Sequence, residues 1–328
     1  MMSNANTPLM AGKMLTAGGG KRDMVRNLIP VATLVILIIV SAMLSPSFLT
    51  VGNLTNLMRQ HALRAIVAMG MLMVILTGGI ELSVGSLVAL SGVLTAYFCQ
   101  TNESLVAVFF TALIMAGIGL CAGYLVSYRR LAPFVVTLAV MSITRGVAYI
   151  VSKGTPIRLP ERAWLLRFGV ATTFGIPQPA VLALIIFLLI MAVLRYTGFG
   201  RLVKAIGSNE SAVRLSGIRV ELYKMAVYVV CAVLCAFGGM ISASRAGVGS
   251  PMVWEGLELD AIAAVVIGGA SLTGGQGSAL NTLMGVLILA LIGNIMNLMN
   301  IASYPQQVIK GVIIILAVLL QSGFDEKR

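Results

Sequence analysis

Apolar residues run along this chain in long blocks, from Leu28 to Leu44, Leu105 to Val126, Val181 to Leu194, Met225 to Ile241, Leu280 to Met299 and Gln307 to Leu320. Shorter or glycine-broken runs lie between them, from Ala62 to Thr77, Val84 to Phe98, Phe134 to Val151 and Leu259 to Gly269. A helix needs about 20 mainly apolar residues to cross a bilayer, so the pattern predicts an all-α integral membrane bundle of about ten transmembrane helices, eight if the short segments only dip in. The first block is longer than a signal-peptide core and no convincing small-x-small cleavage site precedes Ser45-Pro46, so it reads as a retained first span.

Composition supports that picture. Hydrophobic residues make up 59% of the 328 and charged residues only 10%, far below the roughly 25% of a soluble domain. The formal charge of +12 does not point to nucleic acid, because the basic residues fall in loops between apolar blocks and form no stripe. With ten spans and both termini in the cytoplasm, the inside segments hold Lys13, Lys21, Arg22, Arg26, Arg129, Arg130, Arg195, Arg201, Lys204, Arg214, Arg219, Lys224, Lys327 and Arg328, as the positive-inside rule expects. The segment from Lys153 to Gln178, with Lys153, Arg158, Arg162 and Arg167, opposes that assignment. Cys99, Cys121, Cys231 and Cys235 lie in or beside apolar blocks with no ligand set around them, so packing rather than metal binding is expected. His61 stands alone and suggests no catalytic role.

Three regions organise the chain: residues 1–27 as a polar cytoplasmic tail, 28–321 as the membrane domain, and 322–328 as a second cytoplasmic tail. Within the domain, 195–224 is the longest polar segment assigned to the inside, and a loop so rich in charge suggests that something docks there. The outside segment 152–178, broken by Pro156, Pro160, Gly175 and Pro177, reads as a turn-rich cap that either receives a partner or joins two helices. A faint repeat links Gly78-Gly79, Gly85-Ser86 and Gly92-Val93-Leu94 to Gly268-Gly269, Gly277-Ser278 and Gly285-Val286-Leu287. A true duplication would give two parallel half-bundles around a central path; chance likeness among glycine-rich helices is the rival.

The search for enzyme chemistry is negative. There is no phosphate-binding G-x-x-x-x-G-K-[ST] segment, no G-x-S-x-G and no H-E-x-x-H, so the chain is not expected to hydrolyse ATP itself or to hold a metal or cofactor, and a membrane enzyme is disfavoured. Ionisable groups at membrane depth are costly and mark function or pairing. Glu81, among Gly78, Gly79 and Ser83, either caps the following helix or acts as a gate or a contact to a partner at the cytoplasmic mouth. Glu258 and Asp260, just before the run from Ala261 to Gly269, either act at a helix N-terminus in the same way or face the external opening. Arg145 is expected to snorkel to the interface. Asn294, Asn297 and Asn300, spaced three apart, either bond helix to helix or line a path for a hydroxyl-rich neutral solute.

The sharpest local feature is Gly207-Ser208-Asn209-Glu210-Ser211-Ala212-Val213-Arg214-Leu215-Ser216-Gly217. Ser208 or Asn209 can cap a helix, Glu210 suits its positive end and Gly217 can end it. An interfacial helix lying on lipid is the bland alternative. Glu210-Ser211-Ala212 followed by Gly217 resembles the E-A-A loop in permease subunits of binding-protein-dependent ABC importers. Leu44 to Thr50 with Asn53-Leu54, Thr77 to Ser86, and Glu258 to Gly269 are similar to the ribose-type sugar permeases, a likeness running from the first span to about Val318. That family commonly has Asp where this chain has Glu81; the charge is kept.

The resemblance implies a multi-pass permease of the bacterial inner membrane that imports a monosaccharide or similar polyol. Its implied partners are a second permease copy, a cytoplasmic ATPase with two nucleotide sites that bind ATP and Mg, and a periplasmic sugar-binding protein. The coupling role would fall to Ser208, Asn209, Glu210, Ala212, Arg214, Leu215 and Gly217, and the path or gate to Gly78, Gly79, Glu81, Ser83, Asp260, Asn294 and Asn297. The rivals are an importer of a nucleoside, autoinducer or branched-chain amino acid, and a stand-alone secondary transporter.

Overall fold

The computed structural model describes residues 19–309, 311–313 and 315; the tails at 1–18 and 322–328 lie outside the described residues. Among these, α1 (Gly19–Leu44) begins within the segment read as the first tail. It is followed by α2 (Val51–Leu76), α3 (Val84–Phe98), α4 (Ser104–Ser127) and α5 (Pro133–Ser152). A short cap follows, made of β1 (Ile157–Arg158), α6 (Trp164–Val170), β2 (Thr172–Thr173) and β3 (Ile176–Pro177). The second half comprises α7 (Gln178–Tyr196), α8 (Gly198–Ser208), α9 (Glu210–Leu215), α10 (Val220–Ala246), β4 (Val248–Gly249), α11 (Leu257–Ile267) and α12 (Ala279–Leu298), and residues 303–309 are helical again.

Six of these helices, α2, α4, α5, α7, α10 and α12, are long and apolar enough to cross a membrane, and Ile29–Leu44 and α3 are shorter apolar helices. Their surroundings differ. The most apolar window is 78% buried inside the protein in α2 and 61% in α10, against 28% in α4 and 22% in α5. The first two are therefore the central pillars, and α4 and α5 present residues such as Phe109, Leu113, Val135 and Ile150 outward. An apolar surface of that size is stable against lipid, not water.

Small residues let the pillars approach. A Cβ on Gly119 or Gly123 of α4 would lie 2.8 Å from backbone oxygens of α10, at Tyr228 and Met225 respectively, so these glycines permit helix-to-helix contact that no larger residue would allow. Cys231 and Cys235 are buried in α10, Cys99 is buried at the end of α3, and Cys121 is exposed on α4. At the far end of α10 the cap closes over the bundle. β1 pairs antiparallel with β4, and the Ser244 hydroxyl donates to the Leu165 carbonyl at 2.5 Å.

The chain between β4 and α11 does not leave the bundle. Trp254 Nε1 donates to Ser242 Oγ at 2.6 Å, which holds this segment beside the last turns of α10. Arg145 Nη1 donates to the Pro251 and Val253 carbonyls at 2.5 and 2.9 Å. The expected snorkelling of Arg145 is thus corrected: its guanidinium satisfies two carbonyls of a non-helical segment that has no ladder of its own.

Candidate functional site

At one end of the bundle, α8, α9 and the start of α10 form a knob. The Thr197 hydroxyl accepts from Gly200 N at 3.2 Å and opens α8. Asn209 has extended backbone, and its Oδ1 accepts from Ala212 N at 2.9 Å; it therefore caps α9 in the ordinary N-cap manner. Ser208 does not cap α9, because its hydroxyl donates back to the Lys204 carbonyl within α8. Gly217, at φ +80° with N–H donating to the Arg214 carbonyl, ends the turn in the left-handed region that favours glycine.

A small core of its own anchors the knob: Ile206, Val213 and Val220, with Leu202, Ala205, Ile218 and Tyr223 packed around them. Charges fix the other side. Arg214 bonds Glu210 at 3.0 Å and also Glu221, and Lys224 reaches the second Glu210 oxygen at 3.0 Å. Burial pushes the Glu210 carboxyl up, but the bonds from Lys224 and Arg214 outweigh it and hold it below its ordinary value. Bonds to Glu221 and Glu210 raise the Arg214 guanidinium. On α9 and the turn that ends it, Ser211, Ala212, Ser216, Gly217 and, at 89% exposure, Leu215 face outward. Leu215 thus stands exposed at the tip of a turn closed by Asn209 at one end and Gly217 at the other.

The knob is joined to the bundle through backbone. A Cβ on Gly207 would overlap the Leu76 carbonyl oxygen and the Gly275 nitrogen. Gly275 N donates to the Leu76 carbonyl at 2.9 Å, and a Cβ on Gly78 would lie 3.3 Å from the Thr273 carbonyl oxygen. The α2–α3 connection, the α11–α12 connection and the last turn of α8 therefore meet at one point. Only glycine allows three backbones to approach so closely.

Just above that junction Glu81 is buried, and its Oε1 accepts from Ser83 N at 2.8 Å and Ser83 Oγ at 2.5 Å. Gly79 packs against the Tyr228 hydroxyl, where a Cβ would fall 2.7 Å away. These residues, with Gly78 and Ser83, are brought together at the turn between α2 and α3. Asn294 lies elsewhere and exchanges two amide hydrogen bonds with Asn53 of α2, at 3.0 and 2.8 Å. Asn297 is exposed and accepts from Gln306. Asn300 is not on the α12 face that the three-residue spacing suggested, because α12 ends at Leu298 and Asn300 turns the chain at φ +58°.

Asp260 sits in the first turn of α11 and pairs with Arg64 of α2 at 3.3 Å, and the Arg64 guanidinium lies 5.4 Å from the centre of the Trp254 ring. Sequence reasoning named neither Arg64 nor Trp254. The only available signal was an arginine inside an apolar periodicity, at the edge of the run starting at Ala62. Among the described residues no three His, Cys, Asp or Glu side chains come together as a metal site.

The chain matches the permease family described as "Branched-chain amino acid transport system / permease component" over residues 53–318. It belongs to that family. More particularly, it is 43% identical over 296 residues to the ribose import permease RbsC of Escherichia coli (strain K12), across 89% of this chain and 92% of that one. It is 41% identical to RbsC of Bacillus subtilis (strain 168), with 89% and 91% of the two chains covered. It is 36% identical to the L-arabinose transport system permease AraH of E. coli (strain K12), with 87% of each covered. No solved structure matches the chain.

Proposed function

We propose that this chain is the membrane permease of an ATP-driven bacterial importer for a monosaccharide, a pentose, hexose or similar polyol. Two copies would enclose the path, each crossing the inner membrane about ten times with both termini in the cytoplasm. The knob at α8–α9 would face the cytoplasm as the coupling helix. The observation that carries this reading is Leu215, held out at the tip of a turn whose root, Gly207, contacts the connections of both helix pairs at once. A partner ATPase, which would bind ATP and Mg, could move that tip, and a rigid root would pass the motion to α2, α3, α11 and α12. The names of the ribose and arabinose relatives support the solute class. A periplasmic binding protein would deliver it from the other side, onto the end closed by the cap.

The turns at Gly78-Gly79 and Gly268-Gly269 each join two helices at the knob end, α2 to α3 and α11 to α12, which supports two parallel half-repeats. Arg64 and Asp260 pair with one another, which weighs against that pair as the free ion site that a gradient-driven carrier would need. The family's printed description, which names branched-chain amino acids, favours a second reading, an importer of such a solute.

Reconstitution tests both. Liposomes carrying the permease, its ATPase and its binding protein should accumulate labelled ribose only with ATP inside, and excess leucine should not compete. Accumulation without any ATPase would refute the coupling assignment, and competition by leucine would favour the second solute class.

A further inference from the structure

The two halves of α2 differ in kind. From Ala65 to Leu76 every residue is buried within the protein, whereas Asn56, Arg59, Gln60, His61 and Arg64 in the other half are not. Arg64 stands thirteen residues from the start of this helix, about 20 Å along it and close to its midpoint. Its side chain is 28% exposed and that of Asp260 21%. Charges at that depth cannot face hydrocarbon; they face water or protein. Part of this polar half is met by the chain itself, as where Arg59 Nη2 donates to the Val170 carbonyl at 3.0 Å; the exposed part of Arg64 and Asp260, its innermost polar level, borders a water-filled space or a second copy across it.

The cavity lined by His61, Arg64, Asp260, Ala264, Val286 and Leu289 holds about 20 Å³, room for a single water and not for a sugar ring. Beside it Trp254 is held in a fixed pose. Its backbone is left-handed at φ +65°, a conformation that costs a bulky residue energy and persists only when its surroundings enforce it. The Ser242 hydroxyl and the two carbonyl bonds from Arg145 do so. The half-buried indole offers a flat apolar surface, and the pair offers a planar donor fork and a carboxylate. Such a set complements a monosaccharide, whose C–H face stacks on an aromatic ring while neighbouring hydroxyls bond charged groups bidentately.

We propose that Arg64, Asp260 and Trp254 form a saccharide-binding gate on the translocation path, closed here by the bond between the two charged side chains and opened when sugar hydroxyls replace that bond. This rests on the reading of the chain as a monosaccharide permease. A solute offering both donors and acceptors can exchange for the ion pair and meet both charges, and the Trp254 face favours one that also has a C–H face, so the gate favours saccharides a second time, after the binding protein.

Two measurements on the assembled transporter test it. In Asp260→Asn and Arg64→Lys, ribose carried per ATP hydrolysed should fall about 10-fold or more, while ATP hydrolysis stimulated by the binding protein persists. If the pair is only a structural brace, transport and hydrolysis fall together and the ratio holds, which overturns the proposal. In His61→Cys, one helical turn outward of Arg64, a membrane-impermeant thiol reagent added from the periplasmic side should label the chain above the parent level, and ribose should slow that labelling. Labelling at the parent level overturns the placement on a water-filled path, whatever the solute. Labelling that ribose does not slow overturns the sugar contact. Failure of the unmodified assembly to move ribose would instead count against the monosaccharide reading itself.

Discussion

Two clusters of charge lie at different depths of this molecule. At the knob, Glu210, Arg214, Glu221 and Lys224 come from one short stretch of chain, carry two charges of each sign, and lie partly in water. At membrane depth, Arg64 and Asp260 come from helices 196 residues apart and depend on each other. Exposed pairs of the first kind contribute little each, typically below about 1 kcal/mol. Breaking a pair of the second kind leaves a charge unpaired at membrane depth; with the two side chains 28% and 21% exposed, the cost falls below the roughly 3–5 kcal/mol of a fully buried pair. The knob can therefore be tuned piece by piece, whereas the inner pair is held or exchanged as a unit.

The comparison is broken most severely at the root of the knob. Gly207→Val would drive a branched side chain into the Leu76 carbonyl and the Gly275 amide, and backbone cannot yield as a flexible side chain can. Loss of all ATP-dependent uptake is expected, together with a lower membrane yield, measured by uptake in vesicles and by immunoblot. Gly217→Ala is the control: no atom lies near its added Cβ, so only the φ of +80° resists it, at a cost of about 1 kcal/mol. Equal damage from the two would show that the glycine junction has no mechanical role.

Next comes the tip. Glu210→Lys replaces the centre of the charge network with a like charge beside Arg214 and Lys224, and Gly217→Pro removes the N–H that closes the turn. Both variants should remain in the membrane, because the knob has its own small core, yet both should lose ATP-dependent uptake. Undiminished uptake in the pair would remove the coupling role from α9. Leu215→Asp should act more gently. The fold around it has no use for an exposed leucine, so yield should be unchanged, while the ATPase recovered with the permease falls about 10-fold if one buried apolar contact is lost.

The same contrast explains what the chain's order revealed. The knob was legible because its cap Asn209, the pair Glu210 and Arg214 and the terminating Gly217 lie close together in the chain, and local hydrogen bonding alone defines the turn. Asn209 rather than Ser208 caps it because α8 continues through Ser208, whose hydroxyl is spent on Lys204. The long apolar helices were legible for the same local reason. Arg64 was not, since an arginine near the start of an apolar run reads as an interfacial anchor until Asp260 and Trp254 are seen beside it. Arg145 misled in the same way, because its partners at Pro251 and Val253 lie in a segment that sequence periodicity assigns to no element. What periodicity cannot supply is the pairing of distant helices, and the inner polar level consists of little else.

The smallest effect expected sits beyond the inner pair, at the end of α2 away from the knob, at Asn53 and Asn294. Each side-chain amide donates to the other's oxygen, and Asn53 Nδ2 also donates to the Phe48 carbonyl at 2.8 Å, so α2 is tied to α12 and to the turn before it. Two such bonds between helices contribute about 1 kcal/mol together, because each amide finds other partners when the helices separate. Asn53→Ala should cost more than Asn294→Ala, since only the former also strands the Phe48 carbonyl. A double-mutant cycle on thermal stability in detergent should then return a coupling of about 1 kcal/mol, with uptake near the unmodified level. A coupling near zero with uptake abolished would mean that these asparagines meet the passing solute rather than each other, and the path would have to run along α12 instead of past Arg64 and Asp260.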